Sequence, residues 1–317
     1  MESNRNPTVS VIMNGLNCSK YLREAIDSVF AQTYKDWEII YWDDASTDNS
    51  LEIAESYGEK VRCFKSEETF PLGKVRNLAM EQAKGDFIAF LDCDDIWLPE
   101  KLEKQIPLFE NNSSVGLVHS DAWNFTLSGK VYKSHKKKPP EGNVFRELLR
   151  GYFICMPTAI IRRNTLQDLL TWFDDRFTQI EEVDLFLRIA YKWKVVYVDE
   201  PLAKYRLHPS SWSFSHRDCS PKENEILINK FSNLYHDFEK NYGNEISIIK
   251  NQIAYERFYL YWKDGQTKKA QETLKPFLKF NKKLIAYIFS FLVPFEVFYS
   301  LVGFVKNKIS KNMVHFN

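Results

Sequence analysis

Short β-rich runs at residues 9–13, 37–42, 61–65 and 87–91 recur along the first third of the chain without a consistent polar face. Helical spacing fills the gaps between them at 21–31, 48–57 and 73–83, and a further helix is expected at 99–109, with Pro99 in its first turn, where a missing N–H costs little. A strand that is apolar on both sides must be covered on both sides. Strands of that kind separated by crossover helices specify a parallel sheet with helices on both faces, an open Rossmann-like α/β architecture.

The rhythm changes after residue 115. Runs at 116–125 and 129–133 read as strands joined by a turn, 157–161 as a further short strand, and 183–193 as a helix leading into a strand at 195–198. From about residue 222 the pattern is helical, which divides the chain into an α/β domain over 1–220 and a helical region over 221–317. Within the latter, residues 255–278 have the helix-turn-helix pattern of a single tetratricopeptide unit. A length of 317 residues with 44% hydrophobic and 27% charged content suits one large domain with a smaller appendage.

A formal net charge of +1 supplies no global field for nucleic acid, and Lys136, Lys137 and Lys138, set before Pro139 and Pro140, read as a solvated loop. Cys18, Cys63, Cys93, Cys155 and Cys219 are odd in number and widely spaced, as expected of reduced thiols in a cytoplasmic protein. The first ten residues hold no apolar stretch of the secretory kind.

Open parallel sheets bind ligands beyond the carboxyl ends of their strands, and two acidic clusters fall there. YWDDASTDNS, residues 41–50, places Asp43 and Asp44 at a strand end; LDCDD, residues 91–95, places Asp92, Asp94 and Asp95 at another. Neighbouring carboxylates repel unless a cation or hydrogen-bond donors compensate, so a divalent ion with oxygen ligands is expected at the second cluster. Capping accounts for Asp48 at the start of a helix and for Asp95 in the turn before Pro99. It accounts for only one carboxylate of the pair Asp92 and Asp94. No GxxxxGK[ST] loop is present, and no GxGxxG follows the first strand, so a dinucleotide fold would lack its phosphate cradle.

Three segments, VSVIMNGLNCSKYLREAIDSVFAQTYKDWEIIYWDDASTDNS, GKVRNLAMEQAKGDFIAFLDCDDIWLPEKL and EEVDLFLRIAYKWKVVYVDEPLAKYRLH, occur in the order seen in family 2 glycosyltransferases of the GT-A fold. The resemblance covers residues 7–215. It implies that Asp43 and Asp44 receive the nucleotide base and ribose and that Asn14 contacts the base. It places Arg76 and Asn77 near the donor phosphates, Asp92 on the ribose side of a DxD motif and among the metal ligands, and Asp94 as the ligand of Mn²⁺ or Mg²⁺, with His208 of YRLH approaching the metal or diphosphate. It also implies inversion by a single displacement, assisted by a carboxylate base. Glu182 of IEEVDLF stands where the family usually has aspartate, a departure that lengthens the reach and leaves Glu181 or Asp184 as substitutes; Asp184 also suits a helix first turn. Trp97 and Trp212 have the chemistry to stack on sugar faces, with aromatic packing as the alternative.

The resemblance leads to an expected activity: transfer of a sugar from a UDP-, GDP- or dTDP-linked donor to a glycan or lipid-linked glycan in surface polysaccharide biosynthesis. Residues 286–305 are apolar with one charge, Glu296, beside Pro294, and lysines flank them, suggesting a membrane-associating segment over 284–306 that docks at the inner face of the plasma membrane. A bilayer span and a buried helix pair are the rival readings. A nucleotidyltransferase would share the sheet and acids but need a glycine-rich loop after the first strand. A non-catalytic sugar-nucleotide-binding module would tolerate loss of the base, and a scaffold would not need the acids.

Overall fold

In a computed structural model of the chain, residues 6–209, 211–278, 287–288 and 290–300 are described. The chain divides after Arg217 into two compact units. The first opens with β1 (Val9–Gly15), α1 (Ser19–Phe30), β2 (Trp37–Asp43), α2 (Ser50–Glu55), β3 (Val61–Lys65), α3 (Leu72–Glu81) and β4 (Phe87–Phe90). It continues through β5 (Ile96–Trp97), α4 (Lys101–Glu110), β6 (Val115–Thr126), β7 (Val131–Lys133), α5 (Phe145–Arg150), β8 (Ile160–Arg162), α6 (Glu181–Lys192), β9 (Lys194–Leu207) and α7 (Trp212–Ser215).

One sheet gathers these strands in the order β3-β2-β1-β4-β8-β6-β9-β5, with β7 beside β6. The β3-β2-β1-β4 half is parallel; β8 reverses direction between β4 and β6, and β9 runs parallel to β6. Val9, Ser10, Val11, Ile12 and Met13 are consecutive and all buried, so both faces of β1 are covered, as its lack of a polar face requires. In α1, Leu22, Ala25, Ile26 and Val29 follow the three-and-four spacing of one helical stripe and are fully buried. Burying each of the larger ones contributes about 1.5–3 kcal/mol.

Several expectations needed correction, among them the strand at 157–161, which is a 3-10 turn at Met156–Thr158 followed by β8. Helix α4 begins at Lys101, so Pro99 precedes it, and Asp95 caps no turn there: its carboxylate accepts the main-chain N–H of Arg206 (2.8 Å). Strand β9 runs on to Leu207, far past residue 198. Asp199, Glu200 and Pro201 look like a strand end, but a register shift opposite Asp121 takes up Pro201, and pairing with β6 resumes beyond it.

The second unit contains α8 (Ser220–Leu234), α9 (Phe238–Asn241), α10 (Gly243–Lys263) and α11 (Thr267–Leu274). Among its described residues there is no strand. Helices α10 and α11 form the helix-turn-helix expected at 255–278, and Gly265 takes the left-handed φ of 74° that their tight turn requires. Phe258, Trp262, Ala270, Leu274 and Phe298 form a core here. Of the apolar stretch 286–305, residues 286, 289 and 301–305 lie outside the described residues. Within the rest Phe291, Leu292 and Tyr299 are exposed, and no described helix is long and apolar enough to cross a membrane.

Candidate active site

The acidic loop after β4 is pinned from several sides. Asp95 donates its N–H to the Asp92 carbonyl (3.1 Å), and its own carboxylate is buried against β9. This turn leaves Asp92 and Asp94 at the rim, each about one-third exposed at the side chain. Nε2 of His208, one residue past β9, lies 2.9 Å from Oδ2 of Asp94. Burial and the charge of Asp92 push the Asp94 carboxyl above its usual range, and His208 pulls the other way.

Asp92 leans toward the interior. Its Oδ1 accepts from Nη2 of Arg76 (2.9 Å), while Nη1 of the same guanidinium donates to Oε1 of Glu181 at the start of α6 (2.6 Å). Arg76 is buried, which works against its charge, and the two carboxylates more than offset that cost. A single cation thus ties the acidic loop to the helix that carries Glu182.

Glu182 shares this acidic environment. Burial first, then the neighbouring Glu181, raise its carboxyl to about 8, with Arg76 opposing. Glu181 itself is committed to Arg76. Asp184 forms an ion pair with Arg188 four residues on (2.5 Å), and Arg188 also holds the carbonyls of Thr171 (2.7 Å) and Trp172. All three acids fall in the first turn of α6, where the helix dipole favours them.

The other acidic pair terminates β2. Asp43 accepts from Tyr41 Oη (3.3 Å) and the N–H of Ser46 (2.9 Å); Asp44 accepts from the N–H of Phe70 (3.1 Å). Burial raises the Asp44 carboxyl despite that bond. Ala45, next in sequence, holds a left-handed φ of 57°, a strained state for a residue with a Cβ. Asn14 lies on β1 opposite Trp42, and its carbonyl accepts the Cys93 thiol (3.2 Å), which links the end of β1 to the acidic loop. Space at Gly15 is tight, because a Cβ there would fall 2.4 Å from Sγ of Cys18 and 3.0 Å from Sγ of Cys93, so a larger residue would displace those thiols.

Asn77 is engaged elsewhere: its side-chain amide exchanges two hydrogen bonds with the backbone of Phe173 (2.8 and 2.9 Å), which fixes the chain ahead of α6. Trp97 is core, with its indole N–H on the Pro157 carbonyl (2.8 Å). Trp212 remains partly exposed, stacked on His216 and bonded to the Thr178 carbonyl (2.6 Å).

Among the described residues no three His, Cys, Asp or Glu side chains form a metal-holding set. Mg²⁺-like ions are commonly bound through one or two carboxylates plus substrate phosphates, without an all-protein cage. Asp94 fits that pattern as the carboxylate at a rim where phosphate oxygens would complete the shell, and Nε2 of His208 beside it adds a nitrogen donor of the kind Mn²⁺ accepts. Asp92 fits less well as a direct ligand, because one of its oxygens is taken by Arg76.

Two residues escaped sequence reasoning. Arg206 donates through Nε to the Asp94 carbonyl (2.7 Å), and Tyr152 is half-buried with its hydroxyl sequestered, so burial first and the Glu182 charge second raise its phenol. The signal for Arg206 was its place two residues before His208; Tyr152 had none.

The family model for glycosyl transferase family 2 matches residues 10–170. An uncharacterized glycosyltransferase, MJ1057 of Methanocaldococcus jannaschii, is 34% identical over 211 residues, covering 63% of this chain and 71% of that protein. A putative teichuronic acid biosynthesis glycosyltransferase, TuaG of Bacillus subtilis, is 30% identical over 233 residues, covering 67% and 83%. The crystal structure of S. aureus TarS 1-349 in complex with UDP-GlcNAc superposes with a TM-score of 0.63 at 21% identity, over 89% of this chain and 81% of that one, a likeness of GT-A fold. Matched over half its length by the family model and along its first unit by named relatives, the chain belongs to glycosyl transferase family 2.

Proposed function

We propose that the chain is an inverting, metal-dependent glycosyltransferase that moves a sugar from a UDP-, GDP- or dTDP-linked donor to a glycan or lipid-linked glycan. The observation that carries this reading is the Asp94–His208 pair at the rim, tied through Asp92 and Arg76 to the helix bearing Glu182. Asp94 and His208 would hold Mn²⁺ or Mg²⁺, and the ion would supply Lewis-acid stabilisation of the charge on the departing diphosphate. Asp43, Asp44 and Asn14 line the strand ends proposed to receive the nucleoside, and Asp92 its ribose.

Glu182 then acts as base. The acceptor hydroxyl oxygen attacks the anomeric carbon, its proton passes to the Glu182 carboxylate, and the carbon–oxygen bond to the diphosphate breaks on the opposite face, which inverts the centre. A carboxyl held near 8 by burial is a stronger base than a solvated one, and base assistance of this type contributes about 10²- to 10⁴-fold. TuaG's assignment to teichuronic acid biosynthesis supports a polysaccharide product. The exposed Phe291, Leu292 and Tyr299, with the lysines that flank their segment, support docking on the inner face of the plasma membrane.

The decisive variant is Glu182→Gln, expected to bind the donor as wild type does while transfer falls by at least about 100-fold. Transfer at the normal rate would remove Glu182 from the mechanism. Retention of configuration in the product would remove the single displacement.

A further inference from the structure

We infer that Arg206 is a positioning residue that sets where the Asp94 carboxylate stands, an inference that rests on the metal reading of the Asp94–His208 pair. Positions 206 and 208 follow one another at the two-residue spacing that puts side chains on the same side of an extended chain, and both reach the same residue. His208 meets the Asp94 carboxylate, and Arg206 meets the Asp94 main chain, with Nε donating to the carbonyl at 2.7 Å. The main-chain N–H of Arg206 also holds Asp95 (2.8 Å), so β9 grips both ends of the Asp94–Asp95 step.

The guanidinium is itself fixed. Its Nη2 donates to Glu24 on α1 (2.5 Å), and its Cζ lies 4.2 Å from the Tyr21 ring centre and 4.5 Å from that of Phe125. Tyr21 in turn packs on the His208 ring at 5.7 Å. Arg206 therefore locates Asp94 and, through Tyr21, the histidine that faces it. A lysine keeps the charge but has neither the planar fork nor the stacking surface that makes these contacts together.

The test titrates Mn²⁺ into the full chain with UDP, GDP or dTDP present and follows free Mn²⁺ by electron paramagnetic resonance, while calorimetry measures metal-free nucleotide binding. Outer residues that orient metal ligands typically change metal affinity by about 10- to 100-fold. Arg206→Lys is expected to raise the Mn²⁺ dissociation constant by that factor and to change metal-free nucleotide affinity by less than about twofold. Glu24→Gln, at an exposed helix position, should raise the same constant about threefold by turning a charge-assisted bond into a neutral one.

An unshifted Mn²⁺ constant in Arg206→Lys, or an equal loss of metal-free nucleotide binding, overturns the inference. If Arg206→Lys does not fold, Glu24→Gln decides, and a wild-type constant there overturns it too. A wild type that takes up no Mn²⁺ with any of the three nucleotides overturns the metal reading and this inference with it. A wild type that does, beside an unshifted Arg206→Lys, overturns this inference alone.

Discussion

Arg76 shows how much a single side chain can decide. It is the buried cation between Asp92 and Glu181, so replacing it by methionine keeps the volume but strands two carboxylates. Breaking a buried pair by removing one partner costs about 3–5 kcal/mol. Arg76→Met is expected to lose that much in denaturant melts; a loss under about 1 kcal/mol would mean that the pair is hydrated and weak. Glu182 makes a prediction about pH. Its carboxyl is raised from 4.5 to about 8, so in the free enzyme kcat/KM should climb about tenfold per pH unit toward 8 and level above it. Between those two values the folded chain keeps a proton that the unfolded chain releases, so this group's contribution to stability falls as pH rises through the window. Glu182→Gln should accordingly melt higher than wild type at pH 8.5 and show a smaller gain at pH 5; equal gains would contradict the raised carboxyl. The acidic residue types were legible in the sequence, and their partners were not. Nothing local distinguishes Asn77, which closes on the Phe173 backbone, from Arg76 beside it, because Phe173 and Glu181 arrive from about 100 residues downstream.

At the scale of elements, periodicity located the strands and helices of the parallel half because strands covered on both faces carry the strongest local signal. It failed where tertiary pairing overrode local chemistry. Asp199, Glu200 and Pro201 end a strand by every local rule, yet β6 carries β9 through a bulge to the residues that meet Asp94. Asp48 was read as a helix N-cap, but Asn49 holds that position and Asp48 stands one residue ahead of it. Its carboxylate accepts the N–H of Ser50 at the start of α2 (3.0 Å) and that of Ser19 at the start of α1 (3.1 Å). Asp48→Ala should therefore cost about 1–2 kcal/mol, with Asp48→Asn recovering part of it. Partial burial opposes its ionisation, but the Ser19 and Ser50 bonds prevail and lower the carboxyl to about 2. That contribution is present above the usual carboxylate value of 3.8 and is lost as pH falls toward 2. A melting difference that stays constant from pH 6 to pH 2 would contradict it.

For the whole molecule, the sequence reading recovered the α/β architecture because a sheet covered on both faces admits few alternatives, and it recovered the family because three motifs lie in order along the chain. The reversal of β8 was not legible, since a run of three residues carries no direction. The helical unit has its own core around Trp262 and exposes Phe291, Leu292 and Tyr299. If those side chains meet lipid, the double substitution Phe291→Ser with Leu292→Ser should weaken co-sedimentation with anionic vesicles by at least about tenfold, since burying each contributes about 1.5–3 kcal/mol. Unchanged sedimentation would leave the membrane out of the account.

The central claim is that Asp94 and His208 share a cation with the donor's phosphates. Calorimetric titration of the wild type and Asp94→Ala with UDP-, GDP- and dTDP-sugars, with and without Mn²⁺, tests it most directly. The account predicts that at least one donor binds the wild type strongly only with Mn²⁺, and that Asp94→Ala abolishes the gain from metal. Donor binding by the wild type that is the same in the presence and absence of Mn²⁺, or a metal gain that survives in Asp94→Ala, would contradict it.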